Sequence, residues 1–390
     1  MNVSVNPETR SGPLTGYRVV DLSTTLPGAL AGMFLADAHA EVIGVEPAVD
    51  SPIRRLQGWP ALLRGKKSVR LDLHTPVGRE RLDELLASAD VLVTTARPAA
   101  LARLGLSADD VTTKFPGLIH AAITAWGLRS PWRDIKGYEP LVMAKMGLMH
   151  GKRLLSERPG PSYISTPYGS WGAAHTALHG ILAALYERET SGLGQIVDAD
   201  LLRGTASMDT YNWFFELVCL RWPDAYQPLL PFTEDGLPCA PLIYPLLVAP
   251  TKDGHWLQFA AVAPHLFFAL MTELDLMGFF GDPYWEGMPL FPDVKRRVEL
   301  WEIMIERVAQ RTLAQWQDAF AANPNLFAEL LNEPPEALSH PQLVHDGRTV
   351  IVEDPDLGPV RQPSTILHVD GDEELVAAIR QARGTSGAQQ

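Results

Sequence analysis

Through the first third of the chain, short apolar runs alternate with segments of helical spacing. Tyr17 to Leu22 reads as a buried strand, closed by Pro27 and Gly28. Ala29 to Ala38 follows as a helix and Glu41 to Val45 as the next strand, which makes one β-α-β unit. The pattern recurs. Ser68 to Leu73 alternates like a strand, Pro76 to Ala87 carries helical spacing, and Val91 to Thr95 and Leu118 to Ala125 are further apolar strands. Such alternation predicts an α/β fold with a parallel, Rossmann-like sheet. Lys136 to Met149 and Trp171 to Glu189 read as helices, the second bearing Ala173, Ala177 and Ala184 at spacings that suit close packing and ending at the turn from Thr190 to Gln195.

Beyond Pro223 the texture changes to proline-rich loops. Leu246 to Pro250 and Trp256 to Ala261 form a hairpin pattern around Lys252-Asp-Gly254, and helices follow near 264–276 and 292–322. Thr349 to Glu353 and Pro359 to Arg361 suit a second hairpin, ahead of a charged helix from about Asp372 to Arg383. The expected division is a large Rossmann-like domain over 1–222, a smaller α+β domain over 223–335, and a C-terminal segment, 336–390, that returns to the large domain.

A formal charge of −13 opposes adhesion to nucleic acid or anionic lipid, so an anionic cofactor would need a local basic pocket. Cys219 and Cys239 are too few for a disulfide framework and lie in no metal-binding spacing, which suits a reducing cytoplasm. Met1 to Pro13 lacks the blocks of a signal peptide, and no apolar run reaches membrane-spanning length, so no membrane is expected.

Glu46 follows the second strand where an acidic ribose ligand of a dinucleotide fold would sit. The intervening Ser23-Thr-Thr-Leu-Pro-Gly28 is no GxGxxG fingerprint, which argues against an NAD site. His175 and His179 share a helical face, but no neighbouring residue supplies a third ligand, so no metal is expected. Arg64, Lys66, Lys67 and Arg70, with Arg97, Arg103 and Lys136 near strand ends, are candidates for a phosphate pocket.

Several motifs resemble those of class III coenzyme A-transferases of the CaiB/BaiF type, a superfamily that includes formyl-CoA transferases and α-methylacyl-CoA racemases. They are Val20-Asp-Leu-Ser23, Leu35 to Ile43 with Val45-Glu-Pro47, Lys66-Lys-Ser-Val69 with Leu71-Asp-Leu73, Ala89-Asp-Val-Leu92 with Arg97-Pro98, Gly180 to Gln195, and His340-Pro-Gln342 with His345 to Arg361. The resemblance implies an interlocked, ring-like homodimer acting on an acyl-CoA and a carboxylate acceptor. It places coenzyme A against Leu71, His74, Thr95, Arg97, Arg103 and Lys136, with His74 and Thr95 departing from the commoner Lys and Asn. A heteromer with a homologous, aspartate-bearing subunit is the alternative assembly.

In that family an aspartate ahead of the central helix attacks the thioester, and the matching position here is Ser170. A serine lacks the carboxyl carbon on which an enzyme-CoA thioester is built. Glu139 is the carboxylate at a neighbouring motif position, and Tyr138 stands where related racemases carry histidine. The candidates for altered chemistry are therefore Ser170, Glu139 and Tyr138. The competing readings are a non-catalytic coenzyme A-binding or scaffold subunit, a 2-methylacyl-CoA racemase or isomerase, and a ligand sensor. A glycine-rich lid known in some relatives has no counterpart around Phe232 to Cys239, and Trp213, Phe214 and Phe215 suit an acyl pocket or a core.

Overall fold

A computed structural model describes residues 12–151, 161–209, 217–224, 233–238, 242–354 and 357–365. It divides into two compact units: Met1–His150 with Tyr163–Glu216 and Leu338–Gln390, and Gly151–Ser162 with Leu217–Ala337.

The first unit is built on six parallel strands, β1 (Arg18–Leu22), β2 (Glu41–Pro47), β3 (Lys66–Leu71), β4 (Val91–Thr94), β5 (Ile119–Thr124) and β6 (Ile196–Asp200). Their spatial order is β3-β2-β1-β4-β5-β6, the doubly wound order that reverses between β1 and β4. The sixth strand has no counterpart in the sequence reading: Ile-Val-Asp-Ala-Asp is short and half polar, and only pairing with fully buried β5 makes it a strand.

On one face lie the Leu26–Asp37 helix and the long central helix, Tyr168–Ser191. The first is apolar on nearly every side because the sheet and the central helix cover it together, with Phe34 stacked on His175 at 5.2 Å. It begins at Leu26, so Pro27 belongs to its first turn, where a missing N–H costs nothing. The opposite face is covered by the helices Pro76–Ala87, Pro98–Arg103 and Ala108–Lys114 around Leu82, Leu86, Leu92 and Leu101. The segment expected as one helix over 136–149 is a shorter helix, Glu139–Lys145, and a single turn, Leu148–Gly151, parted at Gly147 with φ +79°.

The central helix crosses the Leu201–Met208 helix at backbone contact. A Cβ on Gly172 would strike the Gly204 carbonyl, and one on Gly204 would strike the backbone of Ala173.

In the second unit, β7 (Val248–Pro250) and β8 (Trp256–Phe259) form the expected antiparallel pair, extended by β9 (Ala328–Leu330). Helices Pro264–Glu273, Val294–Val308 and Leu313–Ala322 pack Leu270, Leu300, Met304 and Trp316 against it. The single helix expected over 292–322 is two, because Thr312 starts a new one with a capping box to Gln315.

Back in the first unit, β10 (Thr349–Asp354) and β11 (Gly358–Pro363) pair antiparallel. Arg64, 2 % exposed, joins this hairpin to the end of the Leu26–Asp37 helix. It grips Asp37 through Nε (2.9 Å) and Nη2 (2.5 Å) and donates to the carbonyls of Pro363 (2.5 Å) and Ser364 (3.1 Å). The helix expected over 372–383, residues 213–215 and most of the 232–239 region's flanks lie outside the described residues. Among the described residues no helix is long and apolar enough to cross a membrane.

Candidate active site

Parallel strands put all their carboxyl ends at one edge, and the reversal between β1 and β4 opens a crevice there. Thr24, just past β1, and Thr95, just past β4, face each other across it: the Thr24 N–H donates to Thr95 Oγ1 at 2.8 Å. Leu71 ends β3 on the same edge and is half-buried, whereas His74 beyond it is exposed, its backbone N–H held by Asp72 Oδ1 at 3.0 Å. Arg97 caps the Pro98–Arg103 helix and donates to the Asp134 carbonyl at 2.7 Å, which ties the loop carrying Lys136 to that helix. Arg103 and Lys136 are exposed, and neither has a carboxylate partner among the described residues.

Three of the basic residues proposed for a phosphate pocket are paired elsewhere. Arg64 is the buried anchor described above, and Lys66, its side chain 3 % exposed, donates to Asp21 Oδ2 (2.8 Å) and the Ala29 carbonyl (2.9 Å). Lys67 pairs with Glu41 at 2.6 Å. Glu46 is likewise committed, accepting from Arg54 at 2.8 and 2.9 Å and from Ser68 Oγ at 2.5 Å. Burial alone would raise its pKa, but hydrogen bonds from Arg54, Ser68 and Ser51 and the Arg54 charge outweigh this and bring it down to about 2. His175, stacked on Phe34, has its pKa lowered by burial and by nearby His179. No group of three potential metal ligands occurs among the described residues.

Two of the three candidates for chemistry, Ser170 and Glu139, meet at the start of the central helix. Gly137 is pressed so closely on Ala125 and on the Trp126 indole nitrogen that a Cβ would collide with both. This packing fixes the course of the chain into Tyr138, the N-cap of the next helix, and Glu139, its first residue. The Glu139 carboxylate turns to the central helix: Oε1 accepts the Ser170 N–H at 2.9 Å and Oε2 accepts the Ser170 hydroxyl at 2.5 Å. Ser170 is 2 % exposed and Glu139 half-buried. The Ser170 N–H lies in the helix's first turn, where backbone donors have no partner within the helix and the helix dipole favours negative charge. Gly169 leaves room for this, since a Cβ there would come within 3.2 Å of Glu139 Oε1 and 2.8 Å of Thr205 Oγ1. Tyr138 points away, 66 % exposed. The sequence singles out Ser170 and Glu139 separately; that they touch, across 31 residues, follows only from the fold.

A doubly wound, Rossmann-like sheet without the dinucleotide glycines, with a carboxylate held at the N-terminus of its central helix, defines an α/β protein of the nucleotide-binding architecture without its usual NAD motif. The chain belongs to CoA-transferase family III, whose model matches residues 14–380. It is 30 % identical over 367 residues to the succinyl-CoA–D-citramalate CoA-transferase of Chloroflexus aurantiacus, covering 91 % of this chain and 87 % of that one. Its 27 % identity to the α-methylacyl-CoA racemase of Mus musculus spans 355 residues, 91 % and 86 % of the two chains. In fold it resembles a CaiB/BaiF family protein from Brucella suis, with a TM-score of 0.76 at 24 % identity over 93 % of this chain and 94 % of that one.

Proposed function

We propose that this enzyme moves coenzyme A between an acyl-CoA and a carboxylic acid, with Glu139 supplying the carboxylate that the family usually carries at the position of Ser170. One observation carries the reading: the Glu139 carboxylate lies within hydrogen-bond reach of both the Ser170 N–H and its hydroxyl, at the N-terminus of the central helix. A glutamate has the carboxyl carbon that a serine lacks, so it can form both a mixed anhydride and an enzyme-CoA thioester. Leu71, His74 and Thr95 would border the nucleotide, and Arg97, Arg103 and Lys136 would face its phosphates as charge-assisted donors. A homodimer working in the cytoplasm completes the proposal.

A second reading has support in the same contact. With both oxygens held by Ser170, Glu139 also serves as a helix cap, as in a non-catalytic subunit partnered by an aspartate-bearing homologue. Racemisation needs an acid and a base on opposite sides of an α-carbon, and among the described residues no carboxylate is hydrogen-bonded to the exposed Tyr138 hydroxyl, the Glu139 oxygens being held by Ser170.

Acyl-CoA exchange among a panel of CoA thioesters and carboxylates, followed by mass spectrometry, separates these readings. Exchange by the wild type that disappears in Glu139→Gln supports the transferase. A silent wild type with activity gained in Ser170→Asp supports the non-catalytic subunit. Deuterium uptake at the α-carbon from heavy water, without exchange, would establish the racemase.

A further inference from the structure

Resting on the reading of Glu139 as the coenzyme A carrier, we propose that Ser170 is a positioning residue that assigns different work to the two oxygens of that carboxylate. Its hydroxyl aims Oε2 at the acyl carbon, and its backbone N–H receives the negative charge that develops on Oε1 when sulfur attacks the glutamyl carbon.

The two donors differ in freedom. The hydroxyl is a rotor that can turn away from an oxygen once that oxygen is acylated. The N–H is fixed by the helix, because the next residue, Trp171, already bonds back to the Pro167 carbonyl at 3.1 Å. An oxygen bridging two acyl groups is a poor acceptor. Were the oxygen held by the N–H to become the bridge, a donor of a residue only 2 % exposed would be stranded. Acylation at Oε2 displaces only a hydroxyl that can rotate, and leaves Oε1 as a carbonyl oxygen facing a first-turn N–H, the arrangement of an oxyanion site.

The bonds follow in order. Oε2 attacks the thioester carbon, the C–S bond breaks, and coenzyme A thiolate leaves a mixed anhydride. The thiolate then attacks Cδ of Glu139, negative charge passes through Oε1, and the Cδ–Oε2 bond breaks. The donor acid departs as a carboxylate carrying Oε2, and a glutamyl-CoA thioester remains. The acceptor carboxylate reverses the sequence: it attacks Cδ, expels the thiolate, and is attacked in turn at its own carbonyl, returning an oxygen to Glu139.

The hydroxyl thus acts where Glu139 attacks or leaves an acyl carbon, and the N–H acts at every step on Cδ. Hydroxylamine attack on the isolated glutamyl-CoA thioester reports on Cδ alone. In Ser170→Ala, which keeps the N–H, CoA exchange falls about ten- to a hundredfold as the carboxylate loses its aim. The thioester, once loaded by long incubation, reacts with hydroxylamine within about twofold of the wild type, because its oxyanion donor is intact. Ser170→Thr, which restores the hydroxyl, recovers exchange relative to Ser170→Ala. Undiminished exchange in Ser170→Ala, or an equal slowing of exchange and of hydroxylamine attack, would overturn the division of roles while leaving Glu139 as carrier. A wild type that exchanges coenzyme A without forming any thioester on Glu139 would instead remove the carrier, and this inference with it.

Discussion

On the proposed reading, Glu139 and Ser170 divide the parts that one aspartate would otherwise play. Ser170 occupies the buried start of the central helix but has no carboxyl carbon, and Glu139 brings one from the helix before it. Replacing Glu139 by Gln keeps the shape and removes the nucleophile, so exchange should fall by roughly 10⁴-fold or more with the melting temperature little changed. Gly169→Ala tests the same point by crowding. Its Cβ would come 2.8 Å from Thr205 Oγ1 and 3.2 Å from Glu139 Oε1, so it should displace the carboxylate and cost about 1–3 kcal/mol of stability, read by denaturant unfolding and by exchange. At this scale the sequence identifies the participants but not their contact. Nothing in the local pattern around Gly137 or Gly169 announces that each is glycine to let other side chains through, since the obstructing atoms belong to Ala125 and Trp126 at the first and to Thr205 and Glu139 at the second.

Elements were more legible, because they are set by periodicity. The helix over Pro76–Ala87 and the first five strands follow from their own apolar spacing, while β6 does not, since its half-polar run depends on a buried neighbour. Ion pairs between elements were misread for a related reason: a basic residue near a strand looks the same whether it awaits phosphate or is buried against an acid. Arg64 is the second kind. Arg64→Met would leave Asp37 buried without its cation and release the carbonyls of residues 363 and 364, at a cost of about 3–5 kcal/mol. Limited proteolysis should then cut first near the C-terminal hairpin, and adding Asp37→Leu should restore much of the loss. Glu46 gives a pH signature. Its folded pKa of about 2 lies below its ordinary value of 4.5, so the stability it contributes is full above 4.5 and is lost as pH falls from there toward 2. Arg54→Gln removes the main partner and should make acid unfolding begin at higher pH, followed by fluorescence.

Over the whole molecule, a net charge of −13 repels an anionic substrate, and local cations must overcome it. If Arg103 and Lys136 face phosphates, replacing either by Ala should raise KM for acyl-CoA about tenfold with kcat little altered, and added salt should weaken binding in the wild type more than in the variants. The parallel, Rossmann-like character of the sheet could be anticipated from alternation, because right-handed crossovers leave few arrangements of parallel strands, whereas its full order, with β6 beyond β5, could not. Nor could the proposed interlocked dimer, since such an assembly leaves no periodic trace in a chain.

Trapping the intermediate on its residue decides whether Glu139 carries coenzyme A. Wild-type protein incubated with an accepted acyl-CoA and then reduced with borohydride should yield a peptide in which the Glu139 side chain has become the corresponding alcohol, and the acyl-CoA should be required for it. Continued coenzyme A exchange with Glu139 unreduced, or with the reduced group on another residue, would contradict the account.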